Sequence, residues 1–331
     1  MKKTLIALAT LAAVSGTAFA QSSVSLTGKL RFAYGEAKTA AGAKTTGVGV
    51  TDGDWNIAAV EDLGGGLKAG ANMALRLRGR DNAMDAESSG SGARPRDSSM
   101  YLTGGFGTVT VGAIEAGNGI LGLVTAGGPT YIGLDGYSVS TAGVVTNGVL
   151  SGASNTDILQ YTSPAFSGFT VKAAALDKVG GGGAEATNGS QDATLFGVNY
   201  ANGPLSAALD VTNYGLNSLT AGADSRTRVS ANYNLGVAIV GAGYQTAKLT
   251  TGIARNETAV SVSAPFGAFN VGAIYATSKT DGVAGNNTGY DLAVQYNLSK
   301  RTYVALQAQS TKLAGATASA TNTRVQLAHS F

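Results

Sequence analysis

The sequence predicts an all-β chain: a 16-stranded antiparallel β-barrel that spans a membrane. Three observations lead there. The chain opens with an export leader, a two-residue alternation of polarity returns along its length, and its connections alternate between short and long.

The leader is "MKKTLIALATLAAVSGTAFA". Lys2 and Lys3 precede an apolar run from Leu5 to Val14, and Ala18-Phe19-Ala20 closes it. That is the layout of a cleaved secretory signal peptide, so residues 1–20 are expected to be removed and residues 21–331 to form one domain. The run is too short for a transmembrane helix, which needs roughly 20 apolar residues. There are no cysteines, so packing and backbone hydrogen bonds must hold the exported chain together. Loss of Lys2 and Lys3 leaves 21 basic against 20 acidic side chains, a balance that does not suggest a nucleic-acid partner.

The alternation is clearest in "LKAGANMALRLRGR" (Leu67 to Arg80), where Leu75 and Leu77 are interleaved with Arg76, Arg78 and Arg80. A helix would scatter the arginines around its axis, whereas a strand sends them all to one face and the leucines to the other. "SVSLTGKLRFAY" sets Val24, Leu26, Leu30, Phe32 and Tyr34 against Ser25, Thr27, Lys29 and Arg31. "RTRVSANYNL", "YDLAVQYNL" and "NTRVQLAHSF" repeat the pattern. Strands of this kind suit lipid on one side and water on the other. An arginine at the bilayer midplane of a barrel's outer face costs about 2–4 kcal/mol, so register should be firmly set. A soluble β-sandwich is the competing architecture, but it would leave the leader and the aromatic C-terminus unexplained.

Seven short connections (Glu61–Gly66, Gly104–Gly107, Ser163–Gly168, Ala201–Pro204, Asn234–Gly236, Pro265–Ala268 and Leu298–Arg301) alternate with eight longer ones. The longer ones run roughly over 35–53, 79–95, 114–156, 177–190, 214–225, 246–256, 278–287 and 311–321, so fifteen connections imply sixteen strands. Both termini then fall on the short-turn side and the sheet can close, leaving no edge in hydrocarbon. A barrel of this size encloses an aqueous channel. Inward Lys29, Arg31, Asn72, Arg76, Gln160, Asn232 and Gln295 fit such a lumen. Tyr34, Tyr101, Phe106, Phe169, Tyr200, Tyr233, Phe269 and Tyr296 lie near proposed strand ends, where interfacial girdles are expected.

"VEDLGGGLKAG" (from Val60), "FGTVTVGA" (from Phe106), "YANGPLSAAL" (from Tyr200), "NLSKRTYV" (from Asn297) and the terminal "HSF" resemble the trimeric general porins of β-proteobacteria. The resemblance runs from the first strand to the last residue. It implies a third external loop folded into the lumen, which falls here on residues 114–156. It implies a homotrimer in outer-membrane lipid and lipopolysaccharide, and a terminal Phe331 read by the barrel-assembly machinery. "LTGK" puts Lys29 where the family has an eyelet lysine, and "RPRDSS" puts Arg96 where it has an eyelet arginine.

The chain departs from the family twice. Asp54 stands where a second-strand arginine is usual, and Arg76 takes a third-strand position that is often acidic. The two fall on neighbouring strands with the same inferred parity, which reads as a charge swap. Near the constriction the basic candidates are thus Lys29, Arg31, Arg76, Arg78 and Arg96; the acidic ones are Asp54, with Glu115 and Asp135 on the third loop. Lys172, Arg226, Arg228 and Arg324 add basic charge elsewhere on the wall. This predicts a general diffusion porin for ions and small hydrophilic solutes, with modest anion preference. A substrate-specific outer-membrane channel is the alternative, although a file of lumenal aromatics is not evident.

Catalytic chemistry has little to stand on. His329 is the only histidine and falls on the lipid-facing parity, so a Ser-His-Asp triad is poorly supported. One histidine and no cysteine make a zinc site implausible, and no cofactor is expected. "GGGLKAG" and Gly180 to Gly183 lack the Lys-Ser/Thr of a phosphate-binding loop. Asp52 and Asp54 form too sparse a pair to suggest calcium.

Overall fold

The computed structural model describes residues 22–77, 93–114, 156–177, 193–214 and 223–331. The strands are β1 (Ser23–Lys38), β2 (Lys44–Gly64), β3 (Leu67–Leu77), β4 (Ala93–Gly104), β5 (Gly107–Ile114), β6 (Thr156–Thr162), β7 (Phe169–Asp177) and β8 (Ala193–Asn202). They continue as β9 (Leu205–Tyr214), β10 (Ala223–Asn234), β11 (Ile239–Leu249), β12 (Ala254–Phe266), β13 (Phe269–Thr280), β14 (Asn287–Asn297), β15 (Thr302–Lys312) and β16 (Ala320–Ser330). Each pairs antiparallel with its chain neighbours, and β1 pairs with β16, so the sheet is a closed barrel. The predicted leader (1–20), together with Arg78, Arg80, Glu115, Asp135 and most of the third connection, lies outside the described residues.

Closure is carried to the last residue. Lys29 lies opposite Ser330 and Lys38 opposite Thr321. Beyond that ladder, the Gly28 N–H donates to the Phe331 carbonyl (3.0 Å) and the Phe331 N–H to the Gly28 carbonyl (2.9 Å). The Phe331 ring turns outward and meets Trp55 edge-on, with centroids 5.3 Å apart. Gly28 makes room for it, since a Cβ there would sit 2.3 Å from the ring.

Parity sorts the walls as the alternation requires. On β3, Leu75 lies opposite Trp55 and Arg76 opposite Asp54. On β10, Arg226, Arg228, Ser230 and Asn232 are buried inward while Val229 and Tyr233 are exposed. The outer wall is a continuous apolar surface, with Leu209, Leu292, Leu306 and Leu327 about half exposed. In water such a surface would drive association, so its medium is lipid. Stacked pairs Phe169–Tyr200 (4.6 Å) and Phe269–Tyr296 (4.8 Å) mark the interface on the short-turn side.

Two expectations are corrected. The connection expected over 35–53 is only residues 39–43, because β1 and β2 continue as a paired ribbon to Lys38 and Lys44. The connections on the same side near 246–256, 278–287 and 311–321 likewise shorten to 250–253, 281–286 and 313–319. Strand segments rich in Gly, Thr and Ala need no apolar alternation once they leave the bilayer, which is why they read as loop. Tyr101 is not part of the outer girdle: it lies opposite Gly70 on the inward face, where the missing side chain leaves space for its ring. The inner wall is also not uniformly polar, since Ile158, Ala174, Leu176, Ala193, Leu195 and Tyr214 belong to a buried cluster on β6–β9.

Candidate site: the charged inner wall

β1 to β4 bring the predicted constriction residues together. Two β2 carboxylates organise them, because Asp52 and Asp54 are two residues apart and share the inward face. Asp52 lies opposite Arg31, and Lys29 opposite Asp54. Lys29 Nζ nonetheless reaches diagonally to Asp52 Oδ2 (2.6 Å), which Arg31 Nη2 also approaches at 3.3 Å. Arg76 Nε stands 3.4 Å from Asp54 Oδ1, and the Arg96 guanidinium bonds the other oxygen of the same carboxylate. Arg96 can reach because β4 bulges beside it: Pro95 lies opposite Leu75 and Asp97 opposite Ala74, leaving Arg96 as the extra residue.

Burial separates the members. The Arg31 side chain is 1% exposed, Asp52 6% and Arg76 12%, against 28% for Lys29 and 32% for Arg96. Lys29 and Arg96, with Asp97 at 34%, therefore present charge to the lumen, whereas Arg31 acts on it through Asp52. Asp97, 3.9 Å from Arg96, is the third acid of the group. Within this group four cations meet three carboxylates, a net charge of +1.

Asp52 is a member that sequence reading missed. It falls within the connection that the sequence suggests over 35–53, and only a pairing signal across the β1–β2 hairpin, with Arg31 two residues beyond Lys29, points to it.

The far walls carry different chemistry. On β14–β16, Arg324 donates from Nε and Nη2 to Gln307 Oε1 (3.0 and 2.7 Å), and Gln307 Nε2 donates to Asp291 Oδ2 (2.7 Å). Gln326 Nε2 shares the same acceptor at 3.0 Å. On β10–β12, Arg228 Nε donates to Gln245 Oε1 (2.6 Å), Gln245 donates to Glu257, and Arg255 pairs with Glu257 at 2.7 Å. In both places a glutamine joins cation to carboxylate across three strands, and the groups it joins are buried. Arg226 lies over the Tyr214 ring, 5.7 Å from its centroid. His329 is exposed on the outer face and pairs with Thr302 Oγ1 at 2.9 Å.

A closed barrel of sixteen strands, apolar outside and lined by charge and amide within, defines the class of outer-membrane channel-forming proteins. Residues 7–316 match the family described as Gram-negative porin, and the chain belongs to that family. It is 33% identical over 327 residues to outer membrane porin protein 32 of Delftia acidovorans, across 91% of this chain and 87% of that protein. The anion-selective porin from Comamonas acidovorans shares the fold with a TM-score of 0.67 at 24% identity, covering 94% of this chain and all of that one. OmpT of Vibrio cholerae, in a trimer form, aligns with a TM-score of 0.64 at 18% identity over 94% of this chain and 99% of its own. The protein is thus a porin of the Gram-negative outer membrane, and that family is one of channels rather than of enzymes.

Proposed function

We propose that the chain is a general diffusion channel with modest anion preference, working as a homotrimer after removal of residues 1–20. One observation carries the reading. Among the described side chains of the strands ten basic ones face inward (Lys29, Arg31, Lys68, Arg76, Arg96, Lys172, Arg226, Arg228, Arg255 and Arg324) against seven acidic ones (Asp52, Asp54, Asp62, Asp97, Asp210, Glu257 and Asp291). Fixed positive charge within a Debye length of the path, about 8–10 Å at ordinary ionic strength, enriches anions there. The relative from Comamonas acidovorans is itself described as anion-selective.

In this reading Lys29 and Arg96 are the pore-facing selectivity residues, Arg31 and Asp52 hold Lys29, and Asp54 with Arg76 is the charge-swapped pair. Glu115 and Asp135 on the third connection, together with Arg78, complete the proposed set of selectivity residues and lie outside the described residues. Phe331 serves as the recognition element for the assembly machinery, and lipopolysaccharide covers the long-loop side. Planar-bilayer recording tests the function: a large ohmic conductance with a reversal potential towards chloride is expected. A cation-directed reversal potential, or saturable block by one sugar, would overturn it in favour of a different or substrate-specific channel.

A further inference from the structure

The short-turn rim divides into two arcs. Glu61, Asp62 and Lys68 flank the β2–β3 turn, and Lys300 and Arg301 lie in the β14–β15 turn. The five turns between them, from β4–β5 round to β12–β13, carry no charged residue. This uncharged arc displays Phe166 (80% exposed), Phe266 (79%) and Val237 (77%), the most exposed large apolar side chains among the described residues. Phe166 and Phe266 lie beyond the girdle pairs Phe169–Tyr200 and Phe269–Tyr296, towards the turn tips.

Within the arc is an apolar groove of about 630 Å³ between the β10–β11 turn and the β12–β13 hairpin. It exists because β11 starts at Ile239, opposite Ser263, so Ala264 to Phe266 run past the end of their neighbour. Val237 closes one side, Phe266, Phe269 and Val271 the other, and the small Ala264 side chain leaves the space between them open. Ala264, Phe266, Phe269 and Val271 share the outward parity of Val262 and Val240, so the groove continues the lipid-facing wall. The next turn is tied to this hairpin, since the Asn297 backbone N–H and side-chain amide both donate to the Ala268 carbonyl (2.9 and 3.1 Å). That turn brings Lys300 and Arg301 to the neighbouring stretch of rim.

We propose that the uncharged arc is immersed in the periplasmic leaflet and that the groove seats one acyl chain of a phospholipid, its phosphate directed towards Lys300 and Arg301. Continuity with the lipid wall selects the occupant. A surface so apolar belongs in contact with hydrocarbon, and basic side chains at headgroup depth attract lipid phosphate. Because the groove opens outward, its occupant is independent of ion selectivity.

The full barrel in phosphatidylethanolamine–phosphatidylglycerol vesicles provides the test, with Trp55→Phe and Phe266→Trp making position 266 the sole indole. Lipid brominated at shallow acyl carbons should remove most of the emission, and iodide present on both sides should leave it nearly unchanged. Strong iodide quenching without bromine quenching would put the turn in water, where a soluble partner would be its occupant, and would overturn the proposal. Independently, native mass spectrometry of the detergent-extracted protein should show a retained phospholipid that Ala264→Phe abolishes while conductance is unaltered. Equal retention in Ala264→Phe would empty the groove of its assigned ligand.

Discussion

The β1–β4 wall and the β14–β16 wall use the same kinds of inward side chain for different ends. On β14–β16, Asp291 is 0% exposed, Gln307 1% and Arg324 2%, and each charge is reached through an amide. On β1–β4, carboxylates meet cations directly, and Lys29 and Arg96 keep roughly a third of their surface open. Buried charge must be hydrogen-bonded to be tolerated, so the β14–β16 wall is a structural brace. Charge that remains wet can act on a passing ion. An inward arginine is therefore not in itself a selectivity residue; its exposure and its partner decide.

The sharpest way to break this comparison is charge reversal on the exposed wall. Lys29→Glu combined with Arg96→Glu should invert the reversal potential from anion- to cation-directed in a salt gradient. One charge about 4 Å from an ion in a water-like dielectric is worth ~1 kcal/mol, roughly fivefold in occupancy, and two reversals exceed the expected preference. Arg324→Gln on the buried wall should shift the reversal potential far less.

The converse prediction concerns stability. Gln307→Leu removes the acceptor of Arg324 and the donor to Asp291, and should destabilise the barrel by about 2 kcal/mol. A lower temperature for the unfolding-linked shift in gel mobility would register it, with single-channel conductance retained. Smaller effects follow from the charge-swapped pair: Asp54→Asn should raise anion preference and Arg76→Gln lower it, each by at most a few-fold, and movement in the same direction would contradict the pairing. Smallest is the response to salt. Raising KCl from about 0.1 to 1 M shortens the Debye length from about 10 to 3 Å, so selectivity should weaken while the thermal transition of the buried wall hardly moves.

Much of this was legible in the chain. The period-2 pattern gives the facing of Arg76, Arg228 and Gln295 directly, because a strand allows each residue only two directions. The short turns were recognisable from their Gly, Pro and Asn. Strand length on the opposite side was not, because outside the bilayer both faces of a paired ribbon meet water and alternation disappears. That concealed Asp52. The inward turn of Tyr101 was hidden for a related reason: it depends on a glycine across the ladder, thirty-one positions away in the chain.

The leader, the count of connections and the alternation by themselves pointed to an exported chain, a closed barrel, an oily exterior and a charged lumen, since hydrocarbon admits no unpaired backbone and makes a lipid-facing arginine costly. Only the tertiary structure decided which inward charges are wet and which are sealed. Exposure depends on register, on the bulge beside Arg96 and on amide bridges between strands far apart in sequence. Those are properties of neighbours across the sheet, and a one-dimensional pattern carries no record of them.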